Sequence, residues 1–128
     1  MLTRSWLLSL VVPLAFVGGC SNNTGPTAAT MNVSLSSPRD DDGAVLLTIF
    51  GGPVNSIESV GFRVHSAQAG ADSVKLIVTG NLRSGSIARI HIPDARQASR
   101  YSARISQVAA RATYAQREPA AYTIALQP

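Results

Sequence analysis

Short runs of apolar residues, bounded by turn-forming residues, constrain the fold of this chain most strongly. In residues 31–36, Met31, Val33 and Leu35 alternate with polar neighbours, which is the period of a half-buried β-strand. The run 44–50 is apolar on both faces and is typical of a central strand. Similar runs lie at residues 57–66, 74–80, 87–93 and 121–126, with a loop predicted at 67–73. This spacing predicts an all-β fold, a single β-sandwich of about seven to nine strands.

Residues 95–115 fit two periods. As a helix, the segment would present one apolar face made by Tyr101, Ile105, Val108 and Ala112. As a strand, it alternates up to Gln107 and then changes phase, as one inserted residue at a β-bulge would cause. The strand would turn inwards Tyr101, Ala103, Ile105, Val108, Ala110, Ala112 and Tyr114. Because strands are predicted on both sides, we favour the strand.

Composition limits the class of protein. The 128 residues suffice for one domain, and 45% hydrophobic with 14% charged residues predict a packed core. The only cysteine, Cys20, can form neither an internal disulfide nor, by itself, a zinc site. The sequence contains no G-x-S-x-G elbow and no phosphate-binding glycine loop. We therefore expect no enzymatic activity, no catalytic residues and no cofactor.

Cys20 lies where an apolar segment ends. Arg4 gives a positive start, residues 6–17 are apolar apart from Ser9 and Pro13, and Gly-Gly-Cys follows, which is the layout of a secretory signal peptide. The apolar segment is shorter than the roughly 20 residues that a membrane-spanning helix needs. An ordinary secreted protein, cut near Gly19 and keeping a free thiol, is the alternative.

The segment Val17–Cys20 resembles the lipobox of bacterial lipoproteins, an aliphatic residue and two small residues before a cysteine. The resemblance implies that diacylglycerol alkylates the Cys20 sulfur, that cleavage follows between Gly19 and Cys20, and that the new amino terminus is acylated. The predicted location is the cell envelope, with a lipid anchor. Ser21, in place of an aspartate, implies delivery to the outer membrane, on its periplasmic or outer face, if the organism is Gram-negative.

The chain divides into three parts on this interpretation. Residues 1–19 form the signal peptide, residues 20–30 the lipidated cysteine with a flexible tether, and residues 31–128 the β-sandwich. The tether has no large apolar residue and contains Gly25 and Pro26. Its last ten residues would reach about 33 Å when fully extended.

The order of two strands resembles the cohesin-like sandwich of the wider immunoglobulin-like class. "SVGFRVHS" lies early in the chain and "SGSIARIHIPD" later, as an F-x-V strand precedes a G-x-I-A-x-I strand in that family. The resemblance covers about a quarter of the chain and implies a jelly-roll-like binding or adhesion module. It does not imply dockerin binding, because no contact residues carry over.

The densest group of carboxylates is Asp40, Asp41 and Asp42, followed by Gly43. Calcium needs six to eight oxygen ligands, and consecutive aspartates do not all point at one ion. We expect a solvated turn, with a calcium turn as the weaker alternative and no metal site otherwise. His65 and His91 lack the spacing of a metal site and are expected on the surface, with His91 beside Arg89 on a solvent face.

The carboxyl-terminal part of the chain is basic. Residues 80–128 carry seven arginines and two carboxylates, a net charge of +5, whereas residues 20–79 carry a net charge of −2. If the segment after residue 95 is a strand, Arg96, Arg100 and Arg104 share a face. That face is a candidate for binding anionic lipid headgroups or polysaccharide. The alternative is a solvated arginine face that protects an edge strand from aggregation.

The sequence therefore predicts a non-catalytic envelope lipoprotein that binds or scaffolds. Its partners would be the membrane, through the lipid, and an envelope protein or polysaccharide, but not nucleic acid. Two alternatives stay open, an accessory subunit of a larger envelope complex and a hydrolase whose site is assembled in space. An exposed apolar patch would favour the first, and a cleft holding Ser, His and Asp together would favour the second.

Overall fold

Alternating burial along the first strand shows why the chain forms β-structure. The computed structural model describes residues 25–128, and in β1 (Ala29–Ser36) Met31, Val33 and Leu35 are buried while their neighbours are more exposed. The predicted all-β sandwich is confirmed, with nine strands and two short 3-10 helices in the described residues. The other strands are β2 (Asp42–Phe50), β3 (Ser56–Ser59), β4 (Arg63–Gly70), β5 (Ser73–Leu82), β6 (Gly85–Ile92), β7 (Ser102–Ala110), β8 (Gln116–Arg117) and β9 (Thr123–Gln127). The 3-10 helices span Ala95–Arg100 and Pro119–Ala121.

The strands form two antiparallel sheets. The four-stranded sheet has the order β3-β6-β1-β9, and the five-stranded sheet has the order β4-β5-β2-β7-β8. Their inner faces supply one core of aliphatic side chains, with Tyr101 and Tyr122 at its margins. β2 lies between β5 and β7, so the central strand predicted from residues 44–50 is confirmed. The fully buried side chains include Val33, Val45, Leu47, Ile49, Leu76, Val78, Leu82, Ile87, Ile90 and Ile92.

The chain enters the sandwich at one end, which we call the entry end. Strand β1 begins at Ala29, two residues before the predicted domain start at Met31, and Ala29 pairs with Ile92 at the end of β6. Just before it, the Thr27 carbonyl accepts a hydrogen bond of 2.7 Å from the Ala95 amide. The chain is therefore attached to the sandwich from Thr27 onwards, through this hydrogen bond to Ala95.

The end of β2 and the start of β7 also lie at the entry end. Phe50 and Ser102 are direct cross-strand neighbours. Gly51 follows with φ of 111°, and a Cβ there would lie 2.0 Å from the Arg100 carbonyl oxygen, so this close approach requires glycine. The Tyr101 hydroxyl donates a hydrogen bond of 2.6 Å to the carbonyl of residue 53. The first 3-10 helix is thus packed against the loop that leaves β2.

The single strand predicted at residues 57–66 is wrong. The chain forms β3 in the four-stranded sheet and β4 in the five-stranded sheet, and the connecting turn contains Gly61 with φ of 91°. Val60 and Phe62 belong to this turn, so they do not share a strand face with Val64. The loop predicted at 67–73 is also shorter than expected, because β4 continues to Gly70.

Residues 95–115 are part helix and part strand. The first 3-10 helix precedes β7, and Ser106 has no partner in the register with β2, because Gln107 pairs with Leu46 and Ile105 with Leu47. The predicted bulge and change of phase are therefore confirmed, with Val108 buried after them. The prediction fails beyond β7, where Ala112 is exposed and Tyr114 is 79% exposed in a turn.

Residues 1–24 lie outside the described part of the chain, and with them the predicted signal peptide, the lipobox and Cys20. Between residues 25 and 128, none of the helices has the length and the apolar character needed to cross a bilayer.

The bulge at Ser106 supplies a test of the fold. Deleting Ser106 removes the phase change, so that Val108 and the inward residues before it can no longer face the core together. Exposing Val108 alone costs about 1.5–3 kcal/mol of unfolding free energy. We expect a loss of at least that size in urea denaturation, whereas Ser106→Ala, which keeps the length, changes stability by less than about 0.5 kcal/mol. Equal stability of the two variants would contradict the assigned bulge.

Candidate functional site

A buried carboxylate lies at the end of the sandwich opposite the entry end. Asp42 is fully buried. Its Oδ1 atom accepts hydrogen bonds from Arg117 at 2.5 Å and from the Tyr122 hydroxyl at 2.7 Å, and its Oδ2 atom accepts one from Ser37 at 2.5 Å. Arg117 also donates to Asp41 at 2.8 Å. We call these five residues the Asp42 cluster.

A bulge turns Asp42 inwards. The inward side chains of β2 alternate from Val45 to Ile49, a phase that would point residue 42 outwards. The register shifts between Asp42 and Ala44 against both neighbouring strands, which reverses the phase. Gly43 is required there, because a Cβ would lie 2.5 Å from the Cα atom of Arg111.

Arg117 and the carboxylates of the cluster stabilise one another's charged forms. Hydrogen bonding to Arg117 lowers the pKa of Asp41, and the bond to Asp41 is the main reason why the pKa of Arg117 is raised. Burial and the hydrogen bond to Asp42 raise the pKa of Tyr122. The cluster therefore holds an ion pair and a neutral phenol, with both Asp42 oxygens occupied by protein donors.

The solvated turn predicted for Asp40, Asp41 and Asp42 is wrong for Asp42, which is buried, whereas Asp40 and Asp41 are exposed. The weaker alternative, a calcium turn, is not supported, because both Asp42 carboxylate oxygens already accept hydrogen bonds from Arg117, Tyr122 and Ser37. Within residues 25–128, no group of three or more His, Cys, Asp or Glu side chains is arranged to hold a metal ion.

A second polar group lies on the outer face of the four-stranded sheet. Thr30 Oγ1 is 2.9 Å from His91 Nδ1, and His91 Nε2 is 3.2 Å from Glu58 Oε2. Arg89 donates to the other Glu58 oxygen at 3.3 Å. His91 faces outwards beside Arg89, as predicted. His65 is in the other sheet, so the two histidines do not meet.

Hydroxyl, imidazole and carboxylate follow one another here as they do in an acyl-transfer triad. The group is nevertheless open to water, with the His91 and Glu58 side chains 35% and 49% exposed. β1 and β6 are each paired on both sides, so their backbone N–H groups lie in the plane of the sheet and serve its ladders. The arrangement thus acts as a polar link across three strands.

The outer face of the five-stranded sheet carries apolar side chains at its centre and at the entry end. Phe50 and Ile77 are 41% and 44% exposed, and Leu46 lies directly beside Ile77 on the neighbouring strand. An outer sheet face normally carries polar residues at these positions. We call this surface the Phe50 face. Its members are Ala44, Leu46, Thr48 and Phe50 of β2, Arg63, His65 and Ala67 of β4, Ser73, Lys75, Ile77 and Thr79 of β5, and Ser102, Arg104, Gln107 and Ala109 of β7.

Cationic side chains surround this apolar centre. Lys75 and Arg104 flank Thr48 from opposite sides, and Arg63 lies on the outer strand β4. None of the three forms an ion pair within residues 25–128. The Phe50 face, as defined, contains neither aspartate nor glutamate.

The strand period that placed Arg96, Arg100 and Arg104 on one face does not apply, because Arg96 and Arg100 belong to the first 3-10 helix. Arg96 forms an ion pair of 3.0 Å with Asp94, which caps that helix. Arg100 ends the helix against Gly51, next to Phe50, and Arg104 belongs to the Phe50 face. Anion binding by these arginines remains a prediction.

An open groove of about 740 Å³ separates the edge strands β3 and β4. Half-buried Ile57, Phe62 and Val64 line it, with Arg63 at its rim. The groove could not be expected from the sequence, because a single strand was predicted where the chain forms β3 and β4.

No protein-family model matches the chain, and no match is found among curated proteins or solved structures. The strand pairing shows the β-sandwich, whereas the cohesin-like resemblance stays a prediction. Function must therefore be argued from the residues themselves.

The Tyr122 hydroxyl tests the Asp42 cluster. Tyr122→Phe keeps the ring but removes one of the donors to a buried carboxylate, and we expect a loss of about 1.5–3 kcal/mol of unfolding free energy in urea denaturation. Tyr114→Phe, in the exposed turn, is the matched control and changes stability by less than about 0.5 kcal/mol. Equal effects of the two variants would show that Asp42 does not depend on this bond.

The raised tyrosine pKa values predict sensitivity to alkali. Burial is the main cause of the raised pKa of both Tyr101 and Tyr122, so the unfolded chain loses these protons at lower pH than the folded protein. The stabilisation is thus complete below about pH 10 and is lost as the pH rises through the folded values. We expect the urea midpoint to fall there, and to fall less steeply in the double variant Tyr101→Phe, Tyr122→Phe. An unchanged slope in that variant would refute the assignment.

Proposed function

We propose that this protein is a bacterial envelope lipoprotein, anchored through Cys20, whose sandwich binds or scaffolds without catalysis. The observation that carries the proposal is the single cysteine placed after an apolar segment and two glycines. A thiolate is the nucleophile that alkylation by diacylglycerol requires, and small residues before it admit a peptidase.

The energetics of lipid burial support an anchor of this kind. Each buried CH₂ contributes about 0.8 kcal/mol, so that one acyl chain holds a protein marginally and two or three hold it durably. The described part of the chain begins close behind the proposed anchor, and it is ordered into the sandwich from Thr27 onwards. The anchor and the folded domain would therefore be separated by only a short tether.

The Phe50 face supports binding as the task of the folded domain. It combines exposed apolar side chains with cations that form no ion pair in the described part of the chain, a combination that is typical of an interaction surface. Two side chains of a type used in catalysis lie outside this face. Asp42 is hydrogen-bonded within its buried cluster, and His91 is hydrogen-bonded to Thr30 and Glu58.

An accessory subunit of a larger envelope complex is the second candidate. The exposed Phe50 and Ile77 favour it, because large apolar side chains exposed on one outer sheet face are typical of protein interfaces. The two candidates share the anchor and the Phe50 face, and they differ in what that face contacts.

Replacing Cys20 tests the anchor. We expect Cys20→Ser to lose incorporation of labelled fatty acid and to keep the uncut apolar segment, because alkylation needs the thiol and cleavage follows alkylation, whereas Ser21→Ala incorporates the label and is cut. Mass spectrometry of the purified wild-type protein should show a diacylglycerol thioether on an amino-terminal Cys20. Labelled fatty acid that Cys20→Ser still incorporates, or an unmodified cysteine in the wild type, would refute the proposal.

A further inference from the structure

We propose that the Phe50 face docks on an anionic lipid bilayer at its entry-end corner, which is formed by Phe50, Lys75 and Arg104, with Arg100 beside it and Ile77 further along β5. The inference rests on the proposed anchor, and it identifies the lipid bilayer as the partner of the Phe50 face. Phe50 enters the boundary between headgroups and acyl chains, and the cations contact lipid phosphates.

The apolar part of the corner has the right form for a bilayer interface. Phe50 ends β2 and is 41% exposed, and its direct cross-strand neighbours are the small residues Ser73 and Ser102. Ile77 is a second exposed apolar side chain on the same face, beyond the row that contains Lys75 and Arg104. Side chains of this kind partition into the headgroup region when basic residues accompany them.

The charges at the corner favour an anionic surface. Lys75 and Arg104 lie two residues along their strands from the direct partners of Phe50, on the same face, and neither forms an ion pair within residues 25–128. Two carboxylates border the same surface as Gly51 and Arg100, namely Asp72, in the turn before β5, and Asp94, which forms an ion pair with Arg96. Basic residues near an anionic leaflet each strengthen binding about fivefold.

The position of the corner brings it to the membrane. Phe50, Ser102 and the entering chain at Ala29 all lie at the entry end. From Cys20 to Thr27 the chain spans at most about 25 Å. An anchored protein therefore keeps this end of the sandwich near the lipid, where a high effective concentration makes weak docking sufficient.

A second copy of the chain is a poorer occupant. In a two-fold pairing of Phe50 faces, the cations of one copy would approach those of the other, with no carboxylate on the face to compensate. A protein partner would need a matching acidic patch. A bilayer that contains phosphatidylglycerol presents negative charge over its whole surface.

The chain offers a direct experiment because its only cysteine is the proposed lipid site. Ser102→Cys and Ser56→Cys each add one free thiol to the full lipidated protein. Both serines are exposed and begin a strand at the entry end, but Ser102 lies on the Phe50 face and Ser56 on the outer face of the other sheet. Each is labelled with the polarity-sensitive dye NBD, and the proteins are reconstituted into vesicles of phosphatidylcholine with or without phosphatidylglycerol.

We expect a blue shift and a rise in NBD emission at residue 102 only in the anionic vesicles, reversed by high salt, with no change at residue 56. Adding Lys75→Glu and Arg104→Glu should lower the ratio of docked to undocked protein at least about 25-fold. Arg83→Glu with Arg111→Glu, which changes the net charge equally at the far end, should leave the shift intact.

The possible failures point to different causes. Protein that stays on the vesicles with both dyes exposed to water overturns docking while the anchor stands. Protein that does not float with the vesicles overturns the anchor, and docking with it. An equal shift in neutral vesicles overturns the role of charge. A shift that grows with protein concentration in neutral detergent assigns the face to a second copy. One that requires native membrane extract assigns it to a protein partner, and either of these two results overturns the proposal.

Discussion

Burial of the Asp42 carboxylate is the constraint on which the far end of the sandwich depends. Removing such a group from water costs several kcal/mol unless a cation and further donors compensate. Arg117, Tyr122 and Ser37 supply that compensation from β8, from the segment after the second 3-10 helix and from the loop between β1 and β2. β8 and the loop are short or irregular, whereas Tyr122 also packs against the core, so the shared carboxylate ties β8 and the loop to a residue that packing already holds. The ion pair therefore orders the part of the chain that packing alone holds weakly.

The strands could be predicted from the sequence wherever apolar and polar residues alternate, because every second side chain of such a strand is buried. The alternation of Met31, Val33 and Leu35 locates β1, and the phase change near Gln107 locates the bulge in β7. Periodicity does not reveal a change of sheet, so the strand predicted at 57–66 hid the turn at Gly61. The same limitation misplaced Arg96 and Arg100, which a 3-10 helix removes from the strand period.

The Asp42 cluster could not be predicted from sequence. Asp42 lies in a run of aspartates before a glycine, the usual composition of an exposed turn, and its partners Arg117 and Tyr122 are 75 and 80 residues away. The available signal was the glycine, because Gly43 adjoins an apolar strand in which a bulge would reverse the phase. Even with that signal, only the tertiary structure shows which cation and which hydroxyl meet the carboxylate.

The buried cluster and the exposed corner are linked through β2, which begins with Asp42 and ends with Phe50. The bulge at Gly43 allows Asp42, an even-numbered residue, to face inwards together with the odd-numbered Val45, Leu47 and Ile49. A shift of one residue would expose Ile49 and bury Phe50, since every side chain in a strand changes face together. The partners of Asp42 oppose that shift, because it would leave a carboxylate and a guanidinium unpaired. The ion pair of Asp42 with Arg117 therefore favours the strand register in which Phe50, at the other end of β2, faces solvent.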